Sequence, residues 1–532
     1  MYNTMKILPI IIKTVVLFVF IFFLSDAKTQ TFNYFNYRYD ISEYELQDES
    51  YAIIETVDGF VLPGNSLVIN ANIYWWEEKL IKLDQHGIVQ YIKTYGEDSI
   101  DYFFSSNPRC LIEENDRLYA VAKRRTPTSN WVHDEGTLIY LDENLDTLWS
   151  RRYGECIEPF DTAYLFTCLQ KINQNELIIA GGWKPYGLAS HVYLLKVDSI
   201  GNKIWDKSFN YYNDYIDGHS IVQTTDLGFI IGCFKQTPGY PYTVDPIIIK
   251  TDSLGNQKWT KNLGGPFKDF NALVSLAIDG NILVGTSYAD SMLTPDIPLS
   301  RINIIKLDNE GTILWNKKFG SSKPNNYLRN IRVLNDGCII ATGALRKYNP
   351  EPDWVGWILK IDSDGDSLWY REYYNLPGQE SKNYLYDVIE TSDNGLIACG
   401  YVNPYLPDTG STDTWVIKLD SIGCDSAGCD TTVGIAEEHG SMEAWGHGGL
   451  IIWPNPARDQ IHVRFYMDDG RFYKDFRLEI YDIFGRNVKE IKVPDKQDEV
   501  QINVEGYPRG MYLAVLKERQ IIKANTKFII VK

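Results

Sequence analysis

One phrase recurs seven times along this chain. Leu-Ile-Lys-Leu-Asp, or a close variant of it, ends at Asp84, Asp142, Asp198, Asp252, Asp308, Asp362 and Asp420, with successive spacings of 58, 56, 54, 56, 54 and 58 residues. Repetition at a nearly fixed period constrains architecture more tightly than composition does, because each unit must be one supersecondary module that buries its faces against its neighbours. Three residues after the Asp stands a glycine (Gly87, Gly201, Gly255, Gly311, Gly365, Gly423), replaced by Leu145 in the second copy. Seven residues after it stands Trp149, Trp205, Trp259, Trp315 or Trp369, with Tyr91 in the first copy. A second phrase interleaves with the first: an Asp-Gly or Asn-Gly turn leading into a short apolar run, as at Asp336-Gly-Cys-Ile-Ile and Asn394-Gly-Leu-Ile-Ala.

Each unit therefore reads as four strands. Strand A enters the Asp-Gly turn, which favours a hairpin. Strand B is the apolar run, strand C carries the Lys and the terminal Asp, and strand D carries the Trp. Near-continuous apolar runs in B and C indicate sheets covered on both faces. Four-stranded units in radial repetition are β-propeller blades. The expected fold is all-β: a seven-bladed β-propeller of four-stranded blades over residues 28–430, a linker at 431–449, and a small C-terminal β-sandwich at 450–532. The seventh unit stops after Gly423 without a Trp strand, and residues 31–39 are expected to supply that outer strand, closing edges that would otherwise template aggregation.

Residues 1–27 have the form of a secretory signal peptide: Lys6 and Lys13, an apolar stretch over 14–24, and Ser25-Asp26-Ala27 at the cleavage position. Export suits the eight cysteines, of which Cys424 and Cys429 stand close enough in sequence to make a candidate disulfide. Cys233, Cys338 and Cys399 fall inside apolar strand runs and read as buried thiols.

The last 80 or so residues hold three ordered motifs: Trp453-Pro454-Asn455-Pro456; Leu478 to Val488, containing Tyr481, Asp482, Gly485 and Arg486; and Pro508-Arg-Gly510-Met-Tyr512, followed by the stretch ending at Lys532. This segment resembles the type A C-terminal sorting domain of cargo exported by the type IX secretion system. The resemblance implies a small β-sandwich recognised by the outer-membrane translocon, and a sortase-like peptidase as a second partner. It also implies delivery to the cell surface or the extracellular space.

Strand parity puts the A–B and C–D turns on one face and the B–C and D–A connections on the other. The turns are short and alike. The connections vary, and loops on a rigid scaffold are where function concentrates. The candidate ligand face comprises Trp131, Trp183, Tyr186, Tyr240, Tyr242, Tyr348, Trp354 and Tyr405, rings suited to sugars or an apolar partner surface or, alternatively, to packing over strand edges. Asp101, Asp161, Asp217 and Asp269 precede or open inner strands, either ringing one mouth of the channel or capping backbone N–H groups. Asp362-Ser-Asp-Gly-Asp366 is similar to a calcium loop, but its Gly comes at the fourth position, which favours a hairpin turn.

Leu254-Gly-Asn-Gln-Lys-Trp259 is similar to the tryptophan-docking repeat of quinoprotein alcohol dehydrogenases. That family's pattern implies pyrroloquinoline quinone, Ca²⁺ and an Asp base, usually on eight blades beside an adjacent cysteine pair. Seven repeats without such a pair leave a likeness of blade fold, with the Trp as an inter-blade wedge and no cofactor expected.

No HExxH, Gly-x-Ser-x-Gly or phosphate loop occurs, and the seven histidines do not pair at metal-ligand spacing. A net charge of −18 without a basic run argues against nucleic acid. The expectation is an exported binding or adhesion module for a glycan or protein, the alternative an extracellular polysaccharide hydrolase or lyase, or a quinoprotein-like oxidoreductase.

Overall fold

The computed structural model describes residues 32–41, 47–70, 73–95, 101–105, 107–127, 132–154, 163–184, 190–210, 215–236, 244–294, 297–347, 354–375, 381–404, 412–426, 448–453, 457, 459–467, 476–482, 486–493, 499–518 and 521–530. The described elements are all β-strands. They divide into two compact units at about residue 430. The expected signal peptide and most of the linker lie outside the described residues.

In the first unit the strands pair, almost all antiparallel, in five sheets of four to nine strands. The third repeat is typical: Ala163–Asn173, Glu176–Lys184, His191–Asp198 and Lys203–Phe209 pair in chain order. In the first repeat the inner strand is broken into Gln47–Ser50 and Ile54–Thr56, in the second into Asp101–Phe104 and Leu111–Glu114. The seventh set (Ser381–Glu390, Leu396–Pro404, Asp413–Leu419) takes its fourth strand from the other end of the chain: Phe35–Tyr39 lies antiparallel to Asp413–Leu419, with Phe35 opposite Lys418 and Tyr39 opposite Thr414. Middle strands are buried on both faces, Trp354–Ile361 and Asp413–Leu419 along their whole length.

The two halves of the repeated motif meet in space. A side chain added at Gly255 would strike Trp205, at Gly311 Trp259, at Gly365 Trp315 and at Gly423 Trp369, each Trp belonging to the preceding repeat. These glycines adopt φ of +76 to +85°, where L side chains are strained, so both conformation and space demand Gly. The closing strand obeys the same rule, since Phe35 packs on Gly87 of the first repeat. Four residues past the ring, Tyr39, Tyr153 and Tyr373 donate hydrogen bonds to the main-chain oxygens of Gly87, Gly201 and Gly423 at 2.6–2.7 Å. Trp259 and its counterparts are thus wedges between sets, and all but Trp369 are half-buried rather than fully buried.

In five of the seven repeats the strand-C lysine reaches the A–B turn; the second repeat has Tyr140 in its place, and in the third Lys196 pairs with Glu176. Lys82, Lys250, Lys306, Lys360 and Lys418 pair with Asp58, Asp226, Asp279, Asp336 and Asp393. The strand-C aspartates close the C–D turns: Asp362 Oδ1 accepts from the N–H groups of Asp364 and Asp366, as Asp252 does from Leu254 and Asn256. The calcium-loop likeness at 362–366 is therefore a hairpin turn shared with its sister repeats. Cys110, Cys168, Cys233 and Cys399 are buried thiols and Cys338 is half-buried. Cys424 is disulfide-bonded, while Cys429 lies outside the described residues.

The second unit holds two sheets over one core. Gly448–Trp453, Gln460–Met467 and Glu499–Asn503 form one, and Asn487–Lys492, Phe476–Asp482, Gly510–Glu518 and Ile521–Ile530 the other. Ile461, Val463, Leu478, Ile480, Leu516 and Phe528 share the core between them. Asp482 accepts from the main-chain N–H and Nε of Arg486, closing that turn, and the Tyr512 hydroxyl donates to Pro508 O at 2.8 Å. Tyr481 lies beside them at the end of Phe476–Asp482, and Gly510 opens the next strand. Pro454, Asn455, Pro456, Gly485 and Lys532 lie outside the described residues.

Candidate functional site

The inner strands depart from plain pairing at one repeated place. Register shifts fall between Phe166 and Cys168, Gly218 and Ser220, Leu328 and Asn330, and Leu385 and Asp387. A bulge leaves one residue out of the ladder and re-aims its side chain. The residues so freed are Thr167, His219, Arg329 and Tyr386, and the break in the first inner strand frees Tyr51 in the same way.

Across the middle runs a polar network. The second repeat's break, residues 105–110, carries Asn107 and Arg109. Asn107 Nδ2 donates to His219 O of the fourth repeat, and Arg109 donates to Ile221 O (3.4 Å) and, at 3.0 Å, to Ile331 O of the sixth. Arg332 answers from the sixth repeat, donating to Pro108 O and to both oxygens of Asp387. Asp387 is fully buried and also accepts from Ile53 N and Val388 N. This network ties the second, fourth, sixth and seventh repeats together.

On the loop side a chain of contacts links the freed residues. Tyr51 donates to Glu49 Oε2 and meets the Tyr386 ring edge-on at 4.7 Å. The Arg329 guanidinium lies over the rings of Tyr386 (4.8 Å) and Tyr327 (5.3 Å). Such placement stabilises a cation against its desolvation. Tyr327, Trp354, Tyr384 and Tyr401 continue as a stacked shelf. On the far side His219 stacks on Phe234 at 4.8 Å. Burial raises the Glu49 carboxyl to about 7, so it titrates near neutrality. Burial, followed by the Arg329 charge, lowers His219 to about 4 and keeps its imidazole neutral. Arg329 Nε and His219 Nε2 are both buried without a hydrogen-bond partner. Polar atoms left so are costly unless something else satisfies them. A cation, a neutral imidazole and a carboxyl poised for proton transfer thus stand at the loop-side end of the inner strands beside a row of stacked rings.

The residues expected from sequence to form a ligand face fall out differently. Trp354 is buried to 7% exposure inside the shelf, and Trp183 is half-buried between Tyr164 and His191, so both rings pack rather than project. Trp131, Tyr186, Tyr240, Tyr242, Tyr348 and Tyr405 lie outside the described residues. Asp269 does cap backbone: fully buried, it accepts from Gly265 N and Ala289 N, and burial raises its carboxyl to about 6. Asp161 lies outside the described residues, and Asp101 and Asp217 are strand residues. Carboxylate oxygens of Asp40, Asp48 and Asp413 lie within 4.8 Å of one another beside the closing strand; Asp413 is paired to Arg38 and Asp48 accepts from Ile41 N.

Sequence reading missed Glu49, Tyr51, His219, Arg329 and Tyr386. A signal was present. Tyr51, His219, Arg329 and Tyr386 each stand seven residues before the turn aspartate of their repeat (Asp58, Asp226, Asp336, Asp393), and Arg109 stands seven before Asp116. Aligning the repeats on that Asp collects them in one column, whose variation is what sets it apart.

No curated protein matches this sequence. Among solved structures, an α-L-arabinanase of Penicillium chrysogenum complexed with arabinobiose is similar at 12% identity, covering 58% of this chain and 92% of its own, with a TM-score of 0.37. A polysaccharide lyase described as an ulvan lyase is similar at 9% identity, covering 71% and 95%, with a TM-score of 0.47. An α-L-arabinofuranosidase of Fusarium graminearum with arabinobiose stands at 11%, 58%, 92% and 0.38. Residues 451–532 match the secretion system C-terminal sorting domain family. That segment marks the chain as cargo of the type IX secretion machinery, delivered to the cell surface or the extracellular space.

Proposed function

We propose that the protein is an exported polysaccharide-active enzyme, a seven-bladed propeller of four-stranded blades that binds an anionic glycan at the loop-side end of its inner strands and cleaves it by β-elimination. In this reading a signal peptide starts export, and the C-terminal domain, a β-sandwich, hands the chain to the translocon and a sortase-like peptidase. The observation that carries the reading is the chain of contacts from Glu49 through Tyr51 and Tyr386 to Arg329. Hydrolysis of a glycosidic bond ordinarily needs two carboxyl groups flanking it. Elimination from a uronate needs one cation on the sugar carboxylate, one base and one acid, which is the set assembled here. Arg329 pairs with the substrate carboxylate and stabilises the charge that develops as Glu49, half ionised at neutral pH, takes the adjacent C5 proton. The C4–O bond breaks, the leaving oxygen takes a proton from the Tyr386 phenol, and an unsaturated uronate results without addition of water. The partly exposed rings at the ends of the aromatic shelf, Tyr327 and Tyr401, hold the neighbouring sugar.

Incubating the full chain with uronate-containing polysaccharides tests this. Products with the ultraviolet absorbance of the unsaturated ring are expected, and Arg329→Met is expected to lose about a hundredfold in kcat/KM. That variant should melt no lower than the parent, because the Nε it removes is buried without a partner. Saturated products would indicate a hydrolase, and retention without products would return the protein to the binding-module reading.

A further inference from the structure

The turn-side end of the inner strands carries a second opening that the polysaccharide chemistry does not use. A cavity of about 500 Å³ lies where these strands run into their turns. It is lined by Ile54, Ile112 and Ile389 and by Glu55, Glu113 and Glu390; Glu55 accepts from Ser392 N and Oγ, and Glu390 spends one oxygen on Asn335 N. Arg109 and Arg332 line it as well, their guanidiniums bonded to Ile331 O and to Asp387.

Charge does not balance at its inner end. Two guanidiniums meet one carboxylate there: Arg332 holds Asp387, while Arg109 is bonded to two main-chain oxygens. Burial, followed by repulsion from Arg332, pulls Arg109 down to about 10. A buried cation without a counter-ion is costly, and an anion reaching it would supply the missing partner. The three lining carboxylates have the opposite sign and disfavour a simple anion. Cations, aliphatic side chains and carboxylates together describe a ligand with both charges.

We propose that this cavity binds a small zwitterion of the amino-acid class, its carboxylate toward Arg109 and Arg332, its aliphatic body between Ile54, Ile112 and Ile389, and its ammonium at Glu113 and Glu390. The site stands independently of the glycan reading, since none of its lining residues takes part in that chemistry.

Calorimetric titration of the full chain with free α- and ω-amino acids, acetate and butylamine tests it. At least one amino acid should bind saturably, with acetate and butylamine at least about tenfold weaker. Glu113 is exposed and spends one oxygen on Asp116 N, so Glu113→Gln should fold normally and weaken binding by about tenfold. Arg109→Met should abolish binding. If that variant fails to fold, Ile112→Trp, which fills the cavity, takes its place with the same expected loss. Acetate binding as tightly as the amino acids, unchanged affinity in Glu113→Gln and Ile112→Trp, or no saturable binding at all would each overturn the proposal.

Discussion

The two ends of the inner strands are built on opposite plans. Toward the turns most repeats agree: a lysine on a turn aspartate in five of them, a turn closed by the strand-C aspartate, and an aromatic ring on the next repeat's glycine. Toward the loops they disagree at one position, where Tyr51, Thr167, His219, Arg329 and Tyr386 stand side by side in the repeat alignment. Shared contacts on one side hold the sets in register and leave the other free to vary. Chemistry collects where the repeats stop resembling each other.

Substitutions on each side would break or sharpen that contrast. The largest effect is expected between the two ends. Asp387→Ala leaves the half-buried Arg332 and Arg109 together without a carboxylate and should cost about 3 kcal/mol, read by denaturant unfolding. On the turn side, Trp259→Ala should cost about 2–3 kcal/mol, since the half-buried ring loses its seat on Gly311 and its Nε1 bond to Asn309 O. Gly311→Ala should destabilise as well, and the double variant should cost less than the sum because both changes remove one contact. Glycan turnover should survive both.

Glu49→Gln is expected to do the reverse, abolishing turnover with little effect on the fold. It also carries a pH signature. Folding raises the Glu49 carboxyl from 4.5 to about 7, so the folded state holds the proton more tightly. The associated stability is full below about pH 4.5 and is lost as pH rises through 7. Glu49→Gln should flatten melting temperature against pH across that window; an unchanged slope would show that Glu49 is not the titrating group. The smallest effect belongs to Tyr39→Phe, which deletes one hydrogen bond to Gly87 O and should cost about 1 kcal/mol. A matching loss in Tyr153→Phe and Tyr373→Phe would show that the closing strand is held no differently from the internal ones.

These differences decided what the sequence could disclose. The Asp, Gly and Trp columns were legible because each has a local cause repeated many times: an Asp that folds its own turn, a Gly at positive φ, a ring that needs a seat. Even the closing strand was legible, because the seventh repeat lacks its Trp and residues 31–39 offer aromatics at strand spacing. What joins those columns was not. Nothing in the chain announces that Trp205 sits on Gly255 of the next repeat. The candidate site was harder still, since Glu49 and Arg329 are far apart in sequence and each alone is an ordinary charged residue. For Trp354 the sequence left ligand contact and packing both open, and the shelf of Tyr327 and Tyr384 buries it.

The closing strand also governs how the molecule meets an environment full of proteases. In an open array of repeats, unfolding begins at an end, where a terminal unit has one neighbour instead of two. Here the strand Phe35–Tyr39 completes the last set, and the Trp415 indole donates to Asn36 Oδ1 across 379 residues of chain. No set is terminal, so none frays ahead of the others, and a cut in an exposed loop severs the chain without releasing a piece. For a protein sent outside the cell, beyond the reach of chaperones, survival is then a matter of rate: how seldom the whole ring opens.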